Sequence, residues 1–120
     1  MARILAVDDS EAIRMMMQTI LSAAGHEVVT HEDGRKALDY ARDNTVDLVI
    51  TDLNMPEMGG MSLIASLRRM DSYAHVPILI MTTETADYKK QKARSAGATG
   101  WIAKPVNEER LLLAVKKTVG

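Results

Sequence analysis

The apolar positions along this chain follow two rhythms that alternate from end to end. Unbroken runs at Ile4 to Val7, at Val46 with Leu48 to Ile50, and at Val76 to Met81 have the length and β-branched content of strands buried on both faces. Between them, apolar residues recur at helical spacing. Ile13, Met16, Met17, Ile20, Leu21 and Ala24 predict a helix over Glu11 to Ala24 that Gly25 closes, with Met15 pointing outward. Ala37, Leu38 and Ala41 predict a second helix over 34–43, capped by Asp33. Leu63, Ile64, Leu67 and Met70 form a third stripe after Gly59 and Gly60. Leu111, Leu112, Val115 and Val119 form the last, begun by Asn107. Two weaker strands, Glu27 to His31 and 99–103, complete the pattern. The segment Asp87 to Ala96 has helical length but few large apolar residues, so it should be the loosest helix.

Strands that alternate with helices in this way imply an α/β fold, a doubly wound five-stranded parallel sheet with helices on both faces. The expected strand order is 2-1-3-4-5, the flavodoxin-like arrangement, in a single domain spanning 1–120. In that order the binding crevice lies outside the carboxyl ends of strands one and three. Those ends carry Asp8 and Asp9, and Asp52. Strands four and five end in Thr82 and Lys104, so four strands bring a polar residue to one rim. Alone, each residue is a turn former or a cap; together they mark a site. Met55-Pro56 and Gly59-Gly60 open a loop after Asp52, which predicts an accessible carboxylate.

Composition narrows the chemistry. Fifteen Lys and Arg against sixteen Asp and Glu leave no charge excess to draw the chain to nucleic acid or a membrane surface. The chain has no Cys, hence no disulfide framework, and its amino terminus lacks the apolar segment of a signal peptide. A cytoplasmic monomer is expected. Phe is absent and Met occurs nine times, which makes for an adaptable core. Met15, Met16 and Met17 would suit a soft metal only with Cys or His beside them, so their stripe reads as core.

Three crowded carboxylates repel one another unless a cation lies between them. Oxygen donors favour Mg2+, and His26, His31 and His75 share no ligand spacing that would favour Zn2+. Carboxylates, Mg2+, a hydroxyl and an ammonium group together suit phosphoryl transfer, with Asp52 as the nucleophile. Lys104 and Thr82 would then hold phosphoryl oxygens, and the Thr82 bond would draw its loop inward. A phosphohydrolase of the aspartyl-phosphate type is disfavoured, because its second acid would fall on Asn54. No strand is followed by the Gly pattern of a P-loop or dinucleotide site.

The motifs Val7-Asp8-Asp9-Ser10, Thr51-Asp52-Leu53-Asn54-Met55-Pro56, Thr82 and Lys104-Pro105 resemble the receiver domain of bacterial two-component response regulators, in order and spacing across the whole chain. Asp9-Ser10-Glu11 and Asn54 to Met58 look most like single-domain chemotaxis regulators of the CheY type. The resemblance implies Asp52 as phosphoacceptor from a histidine kinase. It implies Asp9, Asp52 and the Asn54 carbonyl as Mg2+ ligands, Asp8 on metal-bound water, and a cis Lys104-Pro105 peptide. Asn54 and Glu84 would tune dephosphorylation. Output would pass through the fourth helix, fifth strand and fifth helix to a flagellar motor switch protein, a phosphorelay intermediate or phosphate sink being the alternative role. Trp101 stands where the family usually has Tyr or Phe as a switch residue, and Val106 where many have Phe. An inward turn of Trp101 from solvent would use room beside Ala98 and Ala103.

Overall fold

Five strands pair in the order β2-β1-β3-β4-β5, every neighbour parallel, in the computed structural model, which describes residues 1–119. They are β1 (Arg3–Val7), β2 (Glu27–His31), β3 (Leu48–Thr51), β4 (Ile78–Thr82) and β5 (Gly100–Ala103). Between and after them run α1 (Glu11–Ala23), α2 (Gly34–Asp43), α3 (Gly60–Arg68), α4 (Asp87–Ala96) and α5 (Glu108–Val119), with a 3-10 turn at Asp71–Tyr73. The expected order and helix count are both found.

The strand runs are apolar throughout because the sheet is covered twice. Leu5, Val7, Val49, Ile78 and Ile80 pack on one face with Ala37, Leu38 and Ala41 of α2, Leu63, Ile64 and Leu67 of α3, Ala93 of α4 and Tyr73. Their alternates Ile4, Ala6, Leu48, Ile50, Leu79 and Met81 pack on the other with Met17 and Leu21 of α1 and Leu111 and Val115 of α5. Each fully buried Leu or Ile contributes about 1.5–3 kcal/mol, so the central strands are the most strongly held part of the molecule. Side-chain caps start three helices: Ile13 N–H donates to Ser10 Oγ, Lys36 N–H to Asp33 Oδ1 and Arg110 N–H to Asn107 Oδ1. Gly97 ends α4 at φ +117°, a conformation that favours glycine.

Several expected boundaries shift. Ala24 is exposed as the cap residue of α1 rather than part of its buried stripe. Met70 falls beyond α3 and precedes the 3-10 turn. The third and fourth strands begin at Leu48 and Ile78 rather than Val46 and Val76. Pro77 has no N–H for a ladder, yet its carbonyl still accepts from Val49 N–H at 3.0 Å. Leu112 and Val119 are only half-buried.

One side chain missed in the sequence ties the far edge together. The Arg68 guanidinium donates to the carbonyls of Tyr73 (2.7 Å), Val76 (2.7 Å) and Gly97 (3.0 and 2.8 Å). It thereby fixes the end of α3, the approach to β4 and the turn after α4. Burial without an acidic partner pulls this guanidinium below its ordinary pKa, so its worth lies in the bonds to the chain. Arg68→Met leaves those carbonyls without their donor, and is expected to cost about 3 kcal/mol. A urea titration reads this as a lower midpoint at an unchanged slope.

Candidate functional site

Main-chain bonds place the rim residues before any side chain does. Asp8 N–H donates to the His31 carbonyl (3.1 Å), Asp52 N–H to the Val7 carbonyl (2.8 Å) and Lys104 N–H to the Thr82 carbonyl (2.9 Å). Each ladder thus runs one residue past its strand. Residues that would otherwise begin mobile loops are held as firmly as strand residues. Gly60 tightens the site from below: its N–H donates to the Leu53 carbonyl at 2.9 Å, and a Cβ there would lie 2.3 Å from the Asp52 carbonyl oxygen. Only glycine lets α3 start so close to the Asp52 backbone.

The carboxylates of Asp8, Asp9 and Asp52 offer oxygens that all lie within 4.8 Å of one another. Asp8 is wholly buried, Asp52 is 8% exposed and Asp9 is exposed. Asp52 therefore differs from the accessible carboxylate expected, because its own backbone is pinned between β1 and α3 and Lys104 leans over it. Lys104 Nζ stands 2.8 Å from Asp8 Oδ2 and 3.5 Å from Asp52 Oδ2. Ser10 N–H donates to Asp8 Oδ1 at 2.9 Å, and Leu53 N–H to Asp52 Oδ1 at 2.7 Å.

Burial raises the Asp52 carboxyl above its ordinary pKa, and the charge of Asp8 adds to this. Lys104 and the Leu53 amide offset only part of the rise. For Lys104, burial opposes the charge, but the bond to Asp8 and the charges of Asp8 and Asp52 outweigh it, and its pKa is raised. An oxygen-only set converging from three carboxylates, without His or Cys, fits a hard divalent cation.

Thr82 is buried at the end of β4, and its Oγ1 accepts from Glu84 N–H at 3.3 Å. Glu84 faces the next helix: Oε1 accepts from Thr85 N–H (3.2 Å) and Ala86 N–H (3.1 Å), and Oε2 pairs with Lys89 (3.1 Å). Those bonds hold the two residues just before α4 and a side chain of its first turn, while the helix itself has no side-chain cap. Asn54 is exposed and lines a cleft of about 220 Å³ with Leu53, Met61, Tyr88, Lys89 and Lys92. Trp101 is half-buried rather than in solvent. Its Nε1 is enclosed without a partner, Lys90 Nζ lies 5.8 Å from the ring centroid, and Ala98 lines the small hollow beside it. The Lys104-Pro105 peptide is cis.

Sequence reading overlooked Arg14, whose Nη1 donates to the Asp8 carbonyl at 2.6 Å. A signal was present, since a cation in the first turn of a helix opposes the helix dipole and asks for another reason to be there.

A parallel α/β domain whose acids gather where the strand order reverses defines a flavodoxin-like architecture. Within it, the chain belongs to the response regulator receiver domain family, whose sequence model matches residues 4–116. It is therefore the receiver domain of a two-component response regulator. Chemotaxis protein CheY4 of Vibrio cholerae is 46% identical with a TM-score of 0.95, over 98% of each chain. A response regulator protein from Burkholderia multivorans is also 46% identical, with a TM-score of 0.81 over 96% of this chain and 92% of its own. The polar-differentiation response regulator DivK of Brucella anthropi is 26% identical over 117 residues, 98% of this chain and 95% of its own. Among the described residues, no helix is long and apolar enough to cross a membrane.

The raised Asp52 carboxyl makes a signed prediction. Its ionised form is penalised in the folded chain, so its effect on stability is absent below the unfolded value near 3.8 and turns unfavourable as pH rises through the folded value. Asp52→Asn should therefore unfold at higher urea than wild type at pH 7, and the gap should close at pH 3. Unfolding midpoints at the two pH values measure it.

Proposed function

We propose that the chain is a phosphorylation switch in which Asp52 takes a phosphoryl group from the phosphohistidine of a histidine kinase. The observation that carries this is the placement of Asp52, mostly enclosed, beside the Asp8 and Asp9 carboxylates and within 3.5 Å of the Lys104 ammonium. A carboxylate oxygen attacks phosphorus, the phosphorus–nitrogen bond breaks, and the histidine leaves with the electron pair. Enclosure leaves the Asp52 anion poorly solvated, which favours its attack. Asp9, Asp52 and the Asn54 carbonyl would hold Mg2+, with Asp8 reaching a bound water; the ion would supply charge neutralisation at the phosphoryl oxygens. Lys104, now 3.5 Å from Asp52, is placed to pair with a phosphoryl oxygen once the Asp52 charge has moved outward.

The hydroxyl of Thr82 accepts one hydrogen bond and retains its own proton for donation. Donation to the phosphoryl group would draw Thr82 inward, and the Glu84 amide bonded to it would follow. Glu84 also holds the Ala86 N–H just before α4 and grips Lys89, so the start of α4 moves with the loop. Trp101 lies against this helix through Lys90 and is the side chain that would sense the change. The likeness to a chemotaxis protein at 46% identity supports a flagellar motor switch protein as the partner of the α4, β5 and α5 face.

Incubation with phosphorylated histidine kinase and Mg2+ should transfer one phosphoryl group per chain. The mark should be absent on Asp52→Asn and without Mg2+. Steady release of phosphate without an accumulated mark would instead point to a hydrolase. For output, beryllofluoride with Mg2+ should raise affinity for a motor switch protein about tenfold, and Thr82→Ala should remove most of that gain. Calorimetry on the purified pair decides it, and unchanged affinity would favour a relay or sink.

A further inference from the structure

The two adjacent acids at the end of β1 are held in quite different ways. Asp8 is satisfied on every side: its N–H donates to His31, Oδ1 accepts from Ser10 N–H, and Oδ2 pairs with Lys104. Asp9 is exposed, and its side chain makes no hydrogen bond or ion pair among the described residues. Yet its carboxylate lies within 4.8 Å of those of Asp8 and Asp52, against their repulsion. The main chain must therefore place it. The peptide that joins the two acids carries the Asp8 carbonyl, and Arg14 Nη1 donates to that carbonyl at 2.6 Å. Arg14 is fixed in turn by its position in α1, where its own N–H donates to the Ser10 carbonyl at 3.0 Å. Glu32, an acid near enough to feel the Arg14 charge, is already bound by Lys36, so the guanidinium remains committed to the peptide.

We infer that Arg14 is a positioning residue for the divalent-cation site, locking the Asp8–Asp9 peptide so that the Asp9 carboxylate stays aimed at the cluster. This rests on the reading of the three acids as a Mg2+ site. Two effects of Arg14 oppose each other, and their signs differ. As a charge beside the acids it repels Mg2+, so its removal would tighten binding. As a clamp it preorganises Asp9, so its removal weakens binding. Losing a partner that orients a ligand typically costs 10–100-fold in metal affinity, and because the clamp here acts on one ligand, a loss near the lower bound, about tenfold, is expected.

The test is calorimetric titration of Mg2+ alone into the full chain, with folding checked by circular dichroism. Arg14→Met is expected to bind about tenfold more weakly than wild type. Arg14→Gln, polar but two atoms too short to reach, is expected to fall in the same direction and serves if the Met variant does not fold. Arg14→Lys should recover most of the loss. In an Asp9→Ala background, where only the charge effect of Arg14 is left, Arg14→Met should weaken binding no further and leave it equal or slightly tighter, whereas a general loosening of the fold would weaken it again. Binding by both Arg14→Met and Arg14→Gln as tight as wild type or tighter overturns the inference while leaving the site intact. A wild-type chain that takes up no Mg2+ overturns the reading beneath it, and the inference with it.

Discussion

Two carboxylates, Asp8 and Asp52, stand where water scarcely reaches, and the Lys104 ammonium is the charge that keeps them together. Among the described residues it is the cation within bonding distance of both, 2.8 Å from one and 3.5 Å from the other. Each of the three groups would be costly to bury alone, and breaking a buried pair by removing one partner typically costs about 3–5 kcal/mol. The balance is incomplete by construction. Two acids and one base leave a negative residue at the rim, to which exposed Asp9 adds. Repulsion of this kind is a standing cost to the fold, which a hard cation or a change in the charge of Asp52 would relieve.

Such a cluster needs a support stronger than its own repulsion, and the sheet supplies it. Asp8, Asp52 and Lys104 each hang from a ladder bond donated by their own N–H, so moving any of them means breaking strand pairing. Beneath Asp8 and Asp52, β1 from Ile4 onward and β3 are buried on both faces, which makes them the least yielding part of the chain. α4 is built in the opposite way. Ala93 is its one buried residue among those described, Ala86 gives it no side-chain cap, and its start is held by Glu84. A rigid rim beside a weakly seated helix lets a change in local charge become a movement.

Why was the rim legible from sequence while its supports were not? Asp8, Asp52, Thr82 and Lys104 each follow a run of apolar residues, and a strand end is visible in a string of letters. Parallel pairing then brings those ends level. Arg14 and Arg68 act by donating to backbone carbonyls, which every residue has, so no partner type marks them in the sequence. Arg68 was further masked by lying at a helix end, where a cation is ordinary. The enclosure of Asp52 depends on the close approach of Gly60, and the pair Gly59-Gly60 suggested an open loop instead. Ala24 and Met70 kept helical spacing past the true ends, because periodicity does not register where a cap or a turn has already broken the hydrogen bonds.

Trp101 shows how the two halves of this design meet. Its ring sits between the sheet and α4, half-buried against Ala93 and Ala98, with an indole N–H that finds no acceptor. Whether such a donor is met or unmet changes stability by about 1–3 kcal/mol, which is large in a domain of marginal stability. The hollow beside the ring is bounded on one side by Lys90, Ala93 and Arg94 of α4, so the surroundings of Nε1 change whenever α4 moves. The structure thus gathers like charge at the rim and encloses an indole N–H behind α4. The bonds from Thr82 through the Glu84 amide, and from the Glu84 carboxylate to the start of α4, join the first place to the helix that bounds the second. A movement at one end therefore shares a mechanical path with the other through these contiguous bonds.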